Sequence, residues 1–258
     1  MPHRETTAAG APCWTDLSTT DMARAQQFFG QLFGWQFDAS GSEEYGGYTS
    51  ATLDGRLVAG LAPHMDGMGP PNMWTVYLKS ESAEATAAAV ADAGGQVIVP
   101  PMHVAPYGHM AVFLDPGQAA VGAWQPETHQ GFGIEDEHGA PVWHEVYSRA
   151  YADTVRFYQQ AFGWETSVMS DTDGLRYTTL GAGESAKAGI MDGSSILPES
   201  VPSHWVTYWK VDDADAACAK AVKLGGKVIR EPEDSPFGRL ATLADPCGAV
   251  FKIMSPSA

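Results

Sequence analysis

The sequence predicts an α+β protein in which four βαβββ modules pair into two tandem domains. Three observations carry that prediction. The chain repeats itself: Gly10-Ala11-Pro12-Cys13-Trp14 returns as Gly139-Ala140-Pro141-Val142-Trp143, and Phe33-Gly34-Trp35 returns as Phe162-Gly163-Trp164. Phe28-Phe29 is answered by Phe157-Tyr158, Gly94-Gly95 by Gly225-Gly226 and Asp115-Pro116 by Asp245-Pro246, with small drifts confined to loop-like segments. The length of 258 residues suits two domains of this size. Within each half, the order strand, helix, three strands is legible twice. The predicted boundaries are residues 10–126 and 139–256, joined by a polar linker, 127–138.

Taken in order, Trp14–Leu17 is short and alternating, as a strand requires. Thr20 or Asp21 can cap the helix that follows by accepting from its free N–H groups. Ala25, Phe28, Phe29, Leu32 and Phe33 recur at helical spacing, and Gly34 closes the helix. Trp35–Asp38, Tyr45–Leu53 and Arg56–Leu61 read as strands parted by Gly-rich turns at Ser40–Gly47 and Asp54-Gly55. Met65-Asp66-Gly67-Met68-Gly69 is either an inter-module connection or a lid over an apolar ligand. The second module reads as strand Trp74–Lys79, helix Ser82–Ala93, and strands Gln96–Pro100, Met110–Leu114 and Ala119–Gln125. The second half repeats the scheme with helices at Tyr151–Phe162 and Asp213–Leu224.

Composition excludes several function classes. A net charge of −16 would be repelled by nucleic acid and by anionic membranes. No apolar run is long enough to span a bilayer, and Met1–Ala9 lacks the apolar stretch of a signal peptide, so a cytoplasmic protein is expected. Cys13, Cys218 and Cys247 are widely spaced and form no disulfide framework. No phosphate-binding glycine loop and no Gly-x-Ser-x-Gly elbow occurs.

The four modules, the aromatic pair before Phe-Gly-Trp, the Gly-Gly after each even-numbered helix, and Pro236-Phe237-Gly238-Arg239 followed by Asp245-Pro246-Cys247-Gly248-Ala249 resemble the vicinal oxygen chelate superfamily. That group holds glyoxalases, extradiol dioxygenases and bleomycin resistance proteins, and the likeness is to its two-domain actinobacterial members. The resemblance implies a glyoxalase-like fold, in which each pair of modules curls its mixed sheet around a U-shaped cleft. It also implies one divalent ion, held by a His, Gln or Glu early in a module's first strand and a Glu in its last strand. Those positions fall here on Trp14, Trp74, Trp143 and Trp205, and on Gly122 and Lys252. None of these side chains is a metal ligand, so no cofactor is expected. A slip of one residue would substitute His144 or His204.

Side chains alternate along a strand, so Trp14 brings Asp16 to the cleft, and Trp143 brings Glu145 and Tyr147. The same rule is expected to direct Trp74, Trp205 and Trp209 inward, with Lys252 beside Glu145. Two readings stand for this set. The indoles stack on a ligand while Asp16 or Glu145 serves as base, its pKa raised by burial; or the rings are core and Glu145 with Lys252 is a buried ion pair. His109 and Arg239 hold one repeat position and are expected at the cleft edge, gripping an anionic or carbonyl group. His64, His103, His129 and His138 lie in predicted loops without ligand spacing. The partner expected is a small, partly aromatic or apolar molecule, such as a secondary metabolite or antibiotic that the protein sequesters; the alternative is a lyase, isomerase or oxygenase. The chain is expected as a monomer or homodimer.

Overall fold

The computed structural model describes residues 7–38, 45–67 and 69–257. Residues 1–6, most of the expected Ser40–Gly47 turn and Met68 lie outside them. The first domain comprises β1 (Pro12–Thr19), α1 (Met22–Phe33), β2 (Gln36–Phe37), β3 (Thr49–Leu53) and β4 (Arg56–Pro63), then β5 (Met73–Lys79), α2 (Ala83–Asp92), β6 (Gln96–Val104), β7 (Gly108–Leu114) and β8 (Ala120–Pro126). The second comprises β9 (Pro141–Ser148), α3 (Tyr151–Phe162), β10 (Thr166–Thr172), β11 (Leu175–Leu180) and β12 (Ala188–Asp192), then β13 (His204–Lys210), α4 (Ala214–Lys223), β14 (Lys227–Ser235), β15 (Gly238–Ala244) and β16 (Val250–Ser255).

Local chemistry accounts for the helix ends. Asp21, Ser82 and Asp213 cap α1, α2 and α4, each accepting from a backbone N–H in the first turn. Gly34 and Gly163 close α1 and α3 in the left-handed conformation. β6 and β14 run further than the sequence suggests, through Pro100, Pro101 and Pro232. Both are sheet edges, where proline's missing N–H removes no ladder bond.

Each domain is one open eight-stranded mixed sheet, ordered β2-β3-β4-β1-β5-β8-β7-β6 and β10-β11-β12-β9-β13-β16-β15-β14. The first strands of the two modules pair antiparallel at the centre, and each pairs parallel with its own module's last strand.

The helical faces of the two sheets are buried against each other. One core joins Phe28, Phe29, Phe33 and Trp35 of the first module to Trp209, Cys218, Leu243 and Phe251 of the fourth. The other joins Val90, Phe113 and Val121 of the second module to Phe157, Tyr158 and Trp164 of the third and Trp205 of the fourth. The repeat landmarks interlock across this boundary. Trp35 Nε1–H donates to Gly139 O at 2.7 Å, and Trp164 Nε1–H donates to Gly10 O at 2.8 Å. Gly10 and Gly139 have φ of +75° and +77°, and a Cβ at Gly139 would lie 2.6 Å from Phe33 O. In the same way a Cβ at Gly95 would meet the Phe157 ring at 2.6 Å, and one at Gly226 the Phe28 ring at 2.9 Å. The Phe-Gly-Trp of each half is therefore the lock for the Gly-Ala-Pro of the other.

Gly139→Ala must strain φ and displace a backbone carbonyl of the opposite half. It is expected to cost about 2 kcal/mol or more, and Trp35→Phe, which orphans the Gly139 carbonyl, about 1 kcal/mol. Both are read as shifts of the urea unfolding midpoint, with Gly55→Ala, whose added Cβ meets nothing within 4 Å, as the positive-φ control.

Candidate functional site

The central antiparallel pairs decide which residues line each concave face. Residues directly opposite each other on such a pair share a face. In the first domain Trp14 lies opposite Tyr77 and Asp16 opposite Thr75; in the second Trp143 lies opposite Tyr208, Glu145 opposite Val206 and Tyr147 opposite His204. Trp14 and Tyr77 pack with Trp124 on one concave face, and Tyr147 and Tyr208 with Trp143 and Met191 on the other.

The second domain gathers a connected polar array there. Glu145, buried, accepts from the Tyr177 hydroxyl at 2.8 Å and from the Tyr208 hydroxyl. Trp143 Nε1–H donates to the Tyr177 oxygen at 2.9 Å. Lys252 Nζ lies 3.6 Å from Glu145 Oε1, donates to Tyr208 at 2.8 Å and to Tyr147, and sits 4.3 Å above the Tyr147 ring. Burial pushes the Tyr147, Tyr177 and Tyr208 hydroxyls up, and the Glu145 charge adds to it. Burial pulls the Lys252 ammonium below its ordinary range, Glu145 opposes, and nearby Arg230 adds to the fall. An open hollow of about 460 Å³ lies against Arg230, Glu231, Pro232 and Glu233 of β14.

The first domain is built alike, with Gly122 at the position that Lys252 holds in the second. Trp14 Nε1–H donates to Tyr48 at 2.8 Å, as Trp143 does to Tyr177. Tyr48 and Tyr177 lie over Gly60 and Gly189, where any Cβ would collide with the hydroxyl. Tyr77 lies over Gly122, which pairs with it as Lys252 pairs with Tyr208, and a side chain at Gly122 would strike the Tyr77 ring. Asp16 keeps part of its surface open. Even so, the protein around its carboxyl raises its pKa to about 7, chiefly by desolvation, with a Tyr77 hydrogen bond opposing.

The linker covers this face. Trp124 Nε1–H donates to His129 O at 2.8 Å, Phe132 N–H donates to Cys13 O at 2.8 Å, and the His129 and Phe132 rings pack on Trp14 at 4.5 and 5.6 Å.

Five expected cleft residues lie elsewhere. Trp74 pairs with Leu17, and Trp205 with Val146, on the helical face. The tryptophan of an even module stands three residues from the cleft-facing tyrosine, so parity turns it away. Trp74 packs on Phe29, Trp205 donates to Tyr158, and Trp209 lies against Trp35 and Phe33 between the domains. Arg239 and His109 also point away from the concave face, because their neighbours Leu240 and Met110 occupy it. Arg239 is ion-paired to Asp215 and Asp234, and His109 Nε2 lies 3.3 Å from Glu127 Oε1. His204 faces inward, stacked on Tyr147 at 5.5 Å, while His144 faces away and bonds Thr207.

Tyr48, Tyr77, Tyr177 and Tyr208 are the site residues that parity reasoning on the tryptophans missed. Their signal was in the repeat, since Tyr48 and Tyr177, like Tyr77 and Tyr208, occupy equivalent positions. Groups able to ligate a cation are few on the concave faces, among the described residues. In the second, the one carboxylate already accepts from two hydroxyls and faces an ammonium. In neither are three imidazole, thiol or carboxylate ligands gathered, among the described residues.

Two open curled sheets of βαβββ pairs, locked face to face by their helices, define a tandem βαβββ protein. The chain belongs to the glyoxalase/bleomycin resistance protein/dioxygenase superfamily, whose family model matches residues 13–122 and 141–253. It is 39% identical over 261 positions to the putative glyoxylase CFP32 of Mycobacterium tuberculosis, covering 100% of this chain and 99% of that one. It is 35% identical over 263 positions to the anthracycline biosynthesis protein DnrV of Streptomyces peucetius, covering 96% and 94%. The fold is shared with the Mn(II)-bound glyoxalase of Novosphingobium aromaticivorans (TM-score 0.65, 16% identity, 96% of this chain and 82% of that one). It is shared too with the 2,3-dioxygenase LapB of Pseudomonas sp. KL28 (TM-score 0.66, 14% identity, 98% and 94%). Among the described residues no helix is long and apolar enough to cross a membrane.

Asp16 gives a pH signature. Its folded pKa of about 7 lies above the ordinary 3.8, so between these values the folded chain binds more protons than the unfolded one. Stability from this group is therefore full below pH 4 and lost as pH rises to about 7. The D16N variant is expected to match wild type near pH 4 and to exceed it by about 2 kcal/mol at pH 8, read by urea denaturation across that range.

Proposed function

We propose that the protein binds a flat, partly aromatic small molecule on the concave face of the second domain, without a metal, and sequesters it as a secondary metabolite or antibiotic. The observation that carries this reading is the array of Trp143, Tyr177, Glu145, Tyr208, Lys252 and Tyr147. It combines ring faces for stacking with one acceptor and one donor of opposite charge. A fused-ring ligand bearing carbonyls and phenols matches both halves of that array. Lys252 donates to a carbonyl, and Glu145 accepts from a phenol once a tyrosine hydroxyl gives way. Trp143 is half-buried, whereas in the first domain Trp14 is buried with the linker rings lying on it. The likeness to an anthracycline biosynthesis protein supports the same ligand class, since anthracyclines carry a planar fused-ring quinone.

A second reading is supported by a different observation. Asp16, with a pKa of about 7, is poised as a general base near neutral pH. The likeness to a putative glyoxylase supports a reactive carbonyl or a secondary metabolite as its substrate. Asp16 would take a proton from a carbon next to the carbonyl and return it elsewhere on the same substrate.

Titration with a dihydroxyanthraquinone is expected to quench tryptophan fluorescence with a micromolar Kd. Trp143→Ala and Lys252→Met are each expected to weaken binding about tenfold, close to 1.4 kcal/mol. D16N should bind as wild type does. Turnover of a carbonyl compound that disappears in D16N, with binding at the second domain unchanged, would favour the second reading over sequestration.

A further inference from the structure

We propose that His103, His109 and Glu127 form a binding site for a divalent transition-metal ion, of the class Zn2+ represents, on the outer edge of the first domain. His103 on β6 and His109 on β7 are directly paired across the strands, and their rings stack at 4.5 Å with 18° between planes. Both Nε2 atoms point at one carboxylate. His103 Nε2 lies 3.1 Å from Glu127 Oε2, and His109 Nε2 lies 3.3 Å from Glu127 Oε1. The backbone sets that position, because Glu127 N–H donates to Tyr107 O at 2.9 Å, two residues before His109. One ligand atom from each of the three residues lies within 4.8 Å of the others, and among the described residues no other trio of His, Cys, Asp or Glu does this.

The chemistry of this donor set suits such an ion. Bonds of about 2.0–2.2 Å in a tetrahedral site hold neighbouring ligand atoms roughly 3.3–3.6 Å apart, so small side-chain rotations admit the metal. Two imidazole nitrogens and a carboxylate favour Zn2+, Ni2+ or Co2+ over Mg2+ or Ca2+, which prefer oxygen. The side chains are 48%, 25% and 40% exposed, so an ion enters from solvent and water completes its shell. A net charge of −16 raises the local cation concentration. The site is separate from both concave faces, since His109 and Met110 point to opposite sides of β7. Glu127 opens the linker that carries His129 and Phe132, so a bound ion would tie the root of that cover to the β6–β7 hairpin.

Tag-free, chelator-treated full-length protein titrated with ZnCl2 by calorimetry is expected to bind one ion per chain with micromolar or tighter Kd. Co2+ is expected to give visible ligand-field bands on the same protein. His103→Ala, His109→Ala and E127Q are each expected to weaken Zn2+ binding at least tenfold. Because these side chains are partly exposed, circular dichroism is expected to show all three variants folded. Zn2+ should raise the melting temperature of wild type and leave that of the H103A/H109A double variant unmoved. Absence of stoichiometric binding by wild type would overturn the proposal. So would binding that survives in the double variant, which would place the ion elsewhere.

Discussion

Two apolar cores shared between the halves hold the molecule together as one body, and two indole N–H groups with the carbonyls they reach fix how the halves meet. Trp35 donates to Gly139, the residue ahead of the second domain's first strand, and Trp164 returns the contact at Gly10. Each bond is buried and each brings a backbone against a backbone, which only glycine permits at those φ values. Because each bond starts just past an odd module's helix and ends just ahead of the opposite half's leading strand, neither half completes its core alone. The aromatic rings of α1 need the fourth module, and those of α3 need the second.

This packing dictates where polar chemistry can go. With the helical faces sealed together, the concave faces are the surfaces of the sheets left for a ligand. The central strand register assigns alternate residues to them. Trp14 with Asp16, and Trp143 with Glu145, fall on that side. The tyrosines opposite them follow, and glycines at 60 and 189 give the next tyrosines a place to lie. The difference between the faces comes down to one position. Lys252 answers the carboxylate in the second domain, whereas Gly122 holds the equivalent position in the first, and the two carboxyl groups therefore sit in different electrostatic surroundings.

Much of this was legible in the chain. The duplicated landmarks gave the domain count, the helical spacing of Phe28, Phe29 and Phe33 gave α1, and Tyr151–Phe162 marks α3 as observed. Trp14, Asp16, Trp143, Glu145, Tyr147 and Lys252 lie on the concave faces as alternation from the first tryptophan suggests. Extending that alternation to Trp74 and Trp205 fails, because equivalent tryptophans in odd and even modules need not share parity when their strands run antiparallel. His103 looked like a loop residue because two prolines precede it, and only the edge position of β6 lets the strand continue. The partnership between halves was written in the sequence as a repeat. Nothing in a repeat says whether its copies bond within a domain or across.

The cover over Trp14 has a further meaning for how copies of a module diverge. A tandem duplication makes two equal hollows but only one seam, and the seam trails the first copy while leading the second. Once His129 and Phe132 fold back from that seam, the earlier copy is roofed by a segment that lies between the repeats. Twin sites joined in this way are unequal from the outset, before any residue inside them has changed.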